Sequence, residues 1–471
     1  MMNDPTGAAA TVTRIANAVR KREVTAREVV EAALRRIERT NGELNAVVSL
    51  AADEALARAE ALDERQAARE TLGPLHGVPF TLKDGFDAVG FPTTFGSPSH
   101  RTNRPSADST VAARLVAAGA VLLGKSNVPP FLASMQTDNP VFGRTNNPWN
   151  LERTPGGSSG GAGAAIAGGL VPFDIGSDLS GSIRIPSSFC GIFGLKPTVN
   201  RFPLTGHMAL GKDVPRIDRT LGVAGPMARS IEDLALLART IAGADGQDFE
   251  VPPVPWGEVP NVDVRGLRVA FRSRFDGVPT AKEVSEGIVA VAKKLEGAGA
   301  IVVERDPGFT KTAVDEVWPL HFKSLLAAMK STGAKDLPIP EHGPPITVGD
   351  LVRVGHVRDR LISAIESMFT EIDVYLTPVT PTVAVPHAPP RSPMIVDGVP
   401  TESRFVDHYL YPFGFTGNPC VVVPCGTSSE GLPLAVQLVG RRWGDERLLG
   451  VAAAVAKVVH VGSAVAPAYD R

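Results

Sequence analysis

The chain has 471 residues, 43% of them hydrophobic, enough to bury a large core. Its formal net charge is −2 and it has no run of Lys or Arg, so composition offers no footprint for nucleic acid or a membrane surface. Three cysteines in so long a chain make no disulfide framework, and with no histidine cluster beside them they make no zinc site; no metal and no cofactor is expected.

The N-terminal stretch MMNDPTGAAATVTR lacks the charged-then-apolar layout of a signal peptide. No apolar run reaches the ~20 residues that span a bilayer. The expectation is a soluble, cytoplasmic protein without a membrane partner. Residues 8–67 read as helices. Thr25 is placed to cap the second of them, with Val29, Val30, Ala33, Leu34 and Ile37 at helical spacing. The period then changes. GVPFTLKD (Gly77 to Asp84) and AVLLGKSN (Ala120 to Asn127) have strand length, and Ser109–Ala120 between them is helix-like.

Next comes a glycine- and serine-rich stretch, Gly156 to Thr198, followed by further alternation. Leu267–Phe271 reads as strand, Ala281–Glu296 as helix, Ala300–Glu304 as strand and Lys311–Met329 as helix. Proline is dense at 252–260 and 378–400. Strand-like VVVPCG and LAVQLVG follow, then a helix over Glu446–Val458. This alternation predicts an α/β fold around a central, largely parallel sheet. Cys420 and Cys425 flank an apolar run and read as small hydrophobes.

Three side chains stand out chemically. Lys83 ends an apolar strand, where the ordinary role is an amine reaching for water. Were it buried, its ammonium would lose hydration and the amine would become a usable base. Ser158 and Ser182 lie in tight glycine turns. A serine after glycine commonly caps a helix, and a helix start also offers backbone N–H groups to an oxyanion. A lysine–serine–serine relay makes a hydroxyl nucleophilic without histidine.

On these motifs the chain resembles the amidase signature family of serine hydrolases. The resemblance rests on HGVPFTLKD (His76 to Asp84), GRTNNPWN (Gly143 to Asn150), the Gly156–Thr198 stretch and GVAGPMARSIEDLALL (Gly222 to Leu237). GNPCVVVPCG and GLPLAVQLVG, between Gly417 and Gly440, add to it. It spans roughly residues 10–460, with few motifs over 245–405. It implies one domain over 1–471: a helical segment at about 8–67, a signature core at about 70–242, a variable substrate-side region at about 245–405, and C-terminal elements at about 405–471 that return to the sheet of an α/β/α sandwich.

The resemblance further implies Lys83 as base, Ser158 as the bridging serine on a cis peptide bond, and Ser182 as nucleophile. The backbone amides of Leu179, Ser180, Gly181 and Ser182 become the oxyanion hole. Ser180 replaces the first glycine of the usual pair, and a side chain there restricts the loop. Asp178 and Arg184 read alone as a turn aspartate and a surface arginine; the resemblance makes them supports of the loop, with Ser159 beside them as a turn residue. Cys190, among Phe189, Ile192 and Phe193, reads as core. Phe131, Leu132 and Met135, in the segment Pro129–Pro140, read equally as acyl-pocket lining or as core. The 205–220 and 310–360 regions are also expected to line that pocket.

Two other motifs compete. Gly157–Gly161 matches GxSxG, but that nucleophile elbow follows directly on a strand and NNPWNLERTP makes a poor one. The glycines of this stretch also resemble a phosphate loop, but no GKS or GKT follows them. The expected activity is therefore hydrolysis of neutral, apolar carboxamides such as aryl or alkyl acylamides, with esters or carbamates as side substrates. The alternative is a glutamine-dependent amidotransferase A-type subunit that works with a partner. The sequence neither requires nor excludes a homodimer.

Overall fold

The computed structural model describes residues 4–208, 221–309, 311–331, 346–459 and 465–469. Its strands in chain order are β1 (Val47–Leu50), β2 (Pro79–Lys83), β3 (Val121–Ser126), β4 (Phe173–Asp178), β5 (Phe193–Lys196), β6 (Val223–Ala228), β7 (Arg268–Phe271), β8 (Ile301–Glu304), β9 (Val374–Pro378), β10 (Met394–Val396), β11 (Val399–Thr401), β12 (Cys420–Thr427) and β13 (Pro433–Val439). Eleven of these form one mixed sheet in the order β1-β3-β2-β4-β6-β5-β12-β13-β9-β7-β8, and β10 and β11 make a separate hairpin.

Both faces of the sheet are covered, as the alternation along its central strands shows. Val421 and Val423 of β12 enter one hydrophobic core, and Cys420 and Val422 enter another. Neighbouring residues of a strand point to opposite faces, so a strand buried on both reads as a continuous apolar run. That is why VVVPCG carries no polar alternation.

The mixed α/β arrangement stands, but the expected predominance of parallel pairing does not. Parallel pairs are β2–β3, β2–β4, β7–β8 and β7–β9, on the two flanks. The centre, β4–β6–β5–β12–β13, is antiparallel. A parallel pair needs a crossover of a dozen or more residues. Only residues 428–432 separate β12 from β13, which forces a hairpin.

The helical reading of 8–67 resolves into Val12–Arg20, Ala26–Leu44 and Ala52–Ala67. Thr25 caps the second in a full capping box with Glu28. The helical reading missed β1, a four-residue strand among those helices. The later expectations fall within three residues of helices Thr110–Ala117, Lys282–Gly297, Lys311–Ser331 and Asp445–Val459. Cys420 is buried and Cys425 half-buried. Among the described residues no helix is long and apolar enough to cross a membrane.

Candidate active site

β2 carries Lys83 at its C-terminal end, in the middle of the parallel flank, where the amine is completely buried. The glycine-rich chain then passes beside it. Space is the reason for the glycines: a Cβ on Gly161 would lie 2.2 Å from the backbone nitrogen of Asn127. The Gly157–Ser158 peptide is cis. The helix Gly160–Ala167 follows and is buried on every side.

Lys83 Nζ donates to Ser158 Oγ at 2.8 Å, to Ser159 Oγ at 2.8 Å and to the Ser177 carbonyl at 3.1 Å. Three partners suit both charge states. An ammonium donates to all three; a neutral amine donates twice and turns its lone pair to one hydroxyl. Burial lowers the Lys83 pKa to about 7, against the pull of Asp178 and Asp174. Ser159 therefore touches the lysine as closely as Ser158 does. Its reading as a turn residue missed this, because two successive residues facing one amine leave no periodic signal.

Ser182 lies in the turn between β4 and the short helix Arg184–Cys190. It is half-buried, whereas Lys83, Ser158 and Ser159 are buried, so it forms the exposed end of the group. The Ser159 N–H donates to the Ser182 carbonyl at 3.1 Å and ties the two serine loops together. Gly181 takes φ +121°, a left-handed conformation that glycine alone adopts readily. Ser180 has no positive φ, so its side chain imposes no backbone strain of that kind.

The Asp178 carboxylate organises this turn. Oδ1 accepts from the Gly181 N–H at 2.7 Å and Arg184 Nη2 at 3.0 Å. Oδ2 accepts from the Ile183 and Arg184 N–H groups and from Arg184 Nε. Burial works to raise the Asp178 pKa, but Arg184, Lys196 and the Gly181 N–H outweigh it and hold it at about 2. Arg184 is no surface arginine: it is fully buried and also donates to the Leu410 carbonyl and Gln437 Oε1, both at 2.9 Å. Because Asp178 occupies the Gly181 N–H, the amides of Leu179, Ser180 and Ser182 remain as the candidate oxyanion donors.

Helix Asp407–Phe415 packs on the same turn; a Cβ on Gly181 would lie 2.4 Å from Leu410 Cδ1. No motif in the sequence pointed to this helix, and GLPLAVQLVG contained Gln437 without marking it as a partner of Arg184. The three apolar candidates part company. Met135 packs against the core containing Ile185 and Phe189, with its backbone against Gly157. Leu132 lies against Gly85, two residues beyond Lys83. Phe131 is buried edge-on against His100, with its N–H bonded to the Phe95 carbonyl. Residues 209–220, 310 and 332–345 of the expected lining lie outside the described residues.

The residues before Gly157 form turns, not the strand an elbow requires. Burial pushes the Cys190 thiol up, away from the reactive thiolate. Among the described residues no cluster of His, Cys, Asp or Glu is arranged to hold a metal.

The Amidase family model matches residues 28–344 and 351–449. The A-type subunit of the glutamyl-tRNA(Gln) amidotransferase from Chloroflexus aurantiacus is 35% identical over 476 aligned residues, covering 94% of this chain and 95% of the relative. Among solved structures, a bacterial aryl acylamidase of the amidase signature family superposes with a TM-score of 0.85 at 27% identity, covering 97% of each chain. The corresponding amidotransferase subunit from Thermotoga maritima superposes with a TM-score of 0.74 at 25% identity, covering 92% of this chain and 91% of its own. The chain belongs to the amidase signature family and is an enzyme that acts on the C–N bonds of amides.

Proposed function

We propose that this chain cleaves carboxamides through an acyl-enzyme on Ser182. Ser182 Oγ attacks the amide carbon and passes its proton to Ser158, which gives its own proton to the Lys83 amine. The amides of Leu179, Ser180 and Ser182 receive the oxyanion. Collapse expels the amine, which takes the proton back through Ser158, and water then cleaves the ester. The observation that carries this reading is the 2.8 Å contact between Lys83 Nζ and Ser158 Oγ in a buried setting. In this scheme Lys83 accepts a proton only when neutral. With its pKa lowered to about 7, kcat/KM is expected to rise about tenfold per pH unit below neutrality and level off above it. A flat profile over pH 5 to 9 would contradict the lysine base.

Two substrate readings divide here, and the relatives favour the amidotransferase. The Chloroflexus relative is 35% identical across nearly the whole chain, against 27% for the aryl acylamidase. One structural feature supports an ammonium-bearing substrate such as glutamine. Asp407 opens the helix that packs on the Ser182 turn, and its carboxylate accepts from the Trp318 indole N–H at 2.8 Å and, among the described residues, from no cation. Burial pushes its pKa up to about 7. A substrate ammonium would supply the missing charge. The expected neutral, apolar carboxamide draws support from the acylamidase's higher TM-score, from Met135 against Gly157 and from Leu132 against Gly85, two residues beyond Lys83.

The deciding assay compares ammonia release from glutamine with amine release from an aryl acylamide. Faster glutamine turnover, lost in Asp407→Asn or dependent on added partner subunits, supports the amidotransferase. Faster aryl acylamide cleavage by the chain alone, unchanged in Asp407→Asn, supports the stand-alone amidase.

A further inference from the structure

The face of the sheet beneath Lys83 carries a second carboxyl that the relay does not use. Thr81 and Lys83 lie two apart on β2, and Asp174, Gly176 and Asp178 lie two apart on β4, so each set shares a face. Thr81 pairs with Asp174 in the parallel register, and Lys83 pairs with Ser126 on the other side. Asp174 is completely buried. Its Oδ2 accepts from Thr81 Oγ1 at 2.6 Å, while Oδ1 has no hydrogen bond of good geometry, although the Ser126 hydroxyl and the Lys83 N–H lie close enough to favour the ionised carboxyl. A buried carboxyl kept only for structure would be expected to have both oxygens bonded.

We propose that Asp174 is a positioning residue acting through Lys83: ionised, it supports the lysine ammonium that forms as Ser182 gives up its proton through Ser158. The inference rests on the relay reading above. No proton leaves the relay for Asp174; its charge offsets that of the lysine while the ammonium lasts. Burial raises the Asp174 pKa to about 7, against the pull of Thr81, Ser126 and Lys83. Asp174 and Asp178 both favour the charged lysine.

The other charges around this face are few. Asp178 is committed to Arg184, and Lys125, on β3, is committed to Asp84 and the Phe86 carbonyl. Helix Gly160–Ala167 and β6, which pack against β4, bring no titratable side chain. Among the described residues, Asp174 is thus the carboxyl near Lys83 that no arginine or lysine side chain holds by a direct bond.

The test is the pH dependence of kcat/KM on an aryl acylamide or glutamine, whichever the wild type turns over faster. Asp174→Asn keeps the shape and an acceptor for Thr81 but loses the charge. It is expected to move the acidic limb down by about one pH unit, because the ammonium loses a partner. It should also lower the plateau by about 3- to 10-fold, because a weaker base takes the proton less readily. Thr81→Val, which raises Asp174 further by removing its hydroxyl donor, should move the limb the same way by less, and Thr81→Ser should restore it. A structural role alone would lower stability and leave the limb in place.

Limbs that superimpose on the wild type in both Asp174→Asn and Thr81→Val overturn the proposal; if the first variant fails to fold, the second decides. Lys83→Ala in the same series separates the two levels. An active Lys83→Ala removes the relay itself. An inactive one beside unmoved limbs removes only the role of Asp174.

Discussion

Lys83→Ala is expected to lower kcat/KM by about 10⁴-fold or more with the fold intact by circular dichroism, and Ser182→Ala to do at least as much. The amine touches two serine hydroxyls and one carbonyl, and its removal takes away the base through which the proposed proton transfer runs. Ser158→Ala should cost a comparable factor. Groups that act as one unit give non-additive losses, so adding Ser158→Ala to Lys83→Ala should cost little more. Ser159→Ala is the informative contrast. It removes a partner of Lys83 but no step of the proposed relay, so a loss of about tenfold is expected through a misdirected amine. A Ser159→Ala loss as deep as that of Ser158→Ala would assign the bridge to both serines. A fluorophosphonate adduct checks the nucleophile. Trypsin releases Thr154–Arg184 as one peptide holding Ser158, Ser159 and Ser182, so fragmentation must place the label. The expected position is Ser182, the half-buried member of the set.

The sequence made the neighbourhood of the site legible because close approach has a compositional signature. Gly157, Gly160 and Gly161 stand where a Cβ would meet another residue at 2.5 Å or less, so the glycine run records contacts made elsewhere in the fold. Lys83 was legible through the resemblance: read alone, a lysine ending an apolar strand is an amine reaching for water. What stayed hidden depends on pairing between distant segments. Asp174 interrupts an apolar strand in the sequence FDIGSD, yet its meaning comes from Thr81, 93 residues earlier, across a parallel register. Gln437 and Leu410 reach Arg184 from 253 and 226 residues away. The antiparallel centre of the sheet was missed for the same reason. Strand length and apolar content look alike in either direction, and only the short 428–432 connection betrays the hairpin.

Asp178→Ala is expected to destabilise the fold by about 3–5 kcal/mol, the cost of leaving a buried charge unpaired. Arg184 would keep its Leu410 and Gln437 acceptors but lose the carboxylate that balances its charge. The carboxylate also receives the N–H groups of Gly181, Ile183 and Arg184, so the turn bearing Ser182 loses three backbone anchors at once. Activity should therefore fall along with stability, and a double-mutant cycle separates the two. Replacing both members, Asp178→Leu with Arg184→Met, removes the unpaired charge and should cost less in urea denaturation than the two single changes summed. Those backbone N–H groups still lack their acceptor in the double variant, so stability should recover in part while turnover does not. Recovery of turnover along with stability would show that the pair serves only to hold the fold. Additive losses in stability would show that the 3.0 Å contact between Arg184 Nε and Asp178 Oδ2 contributes no coupling.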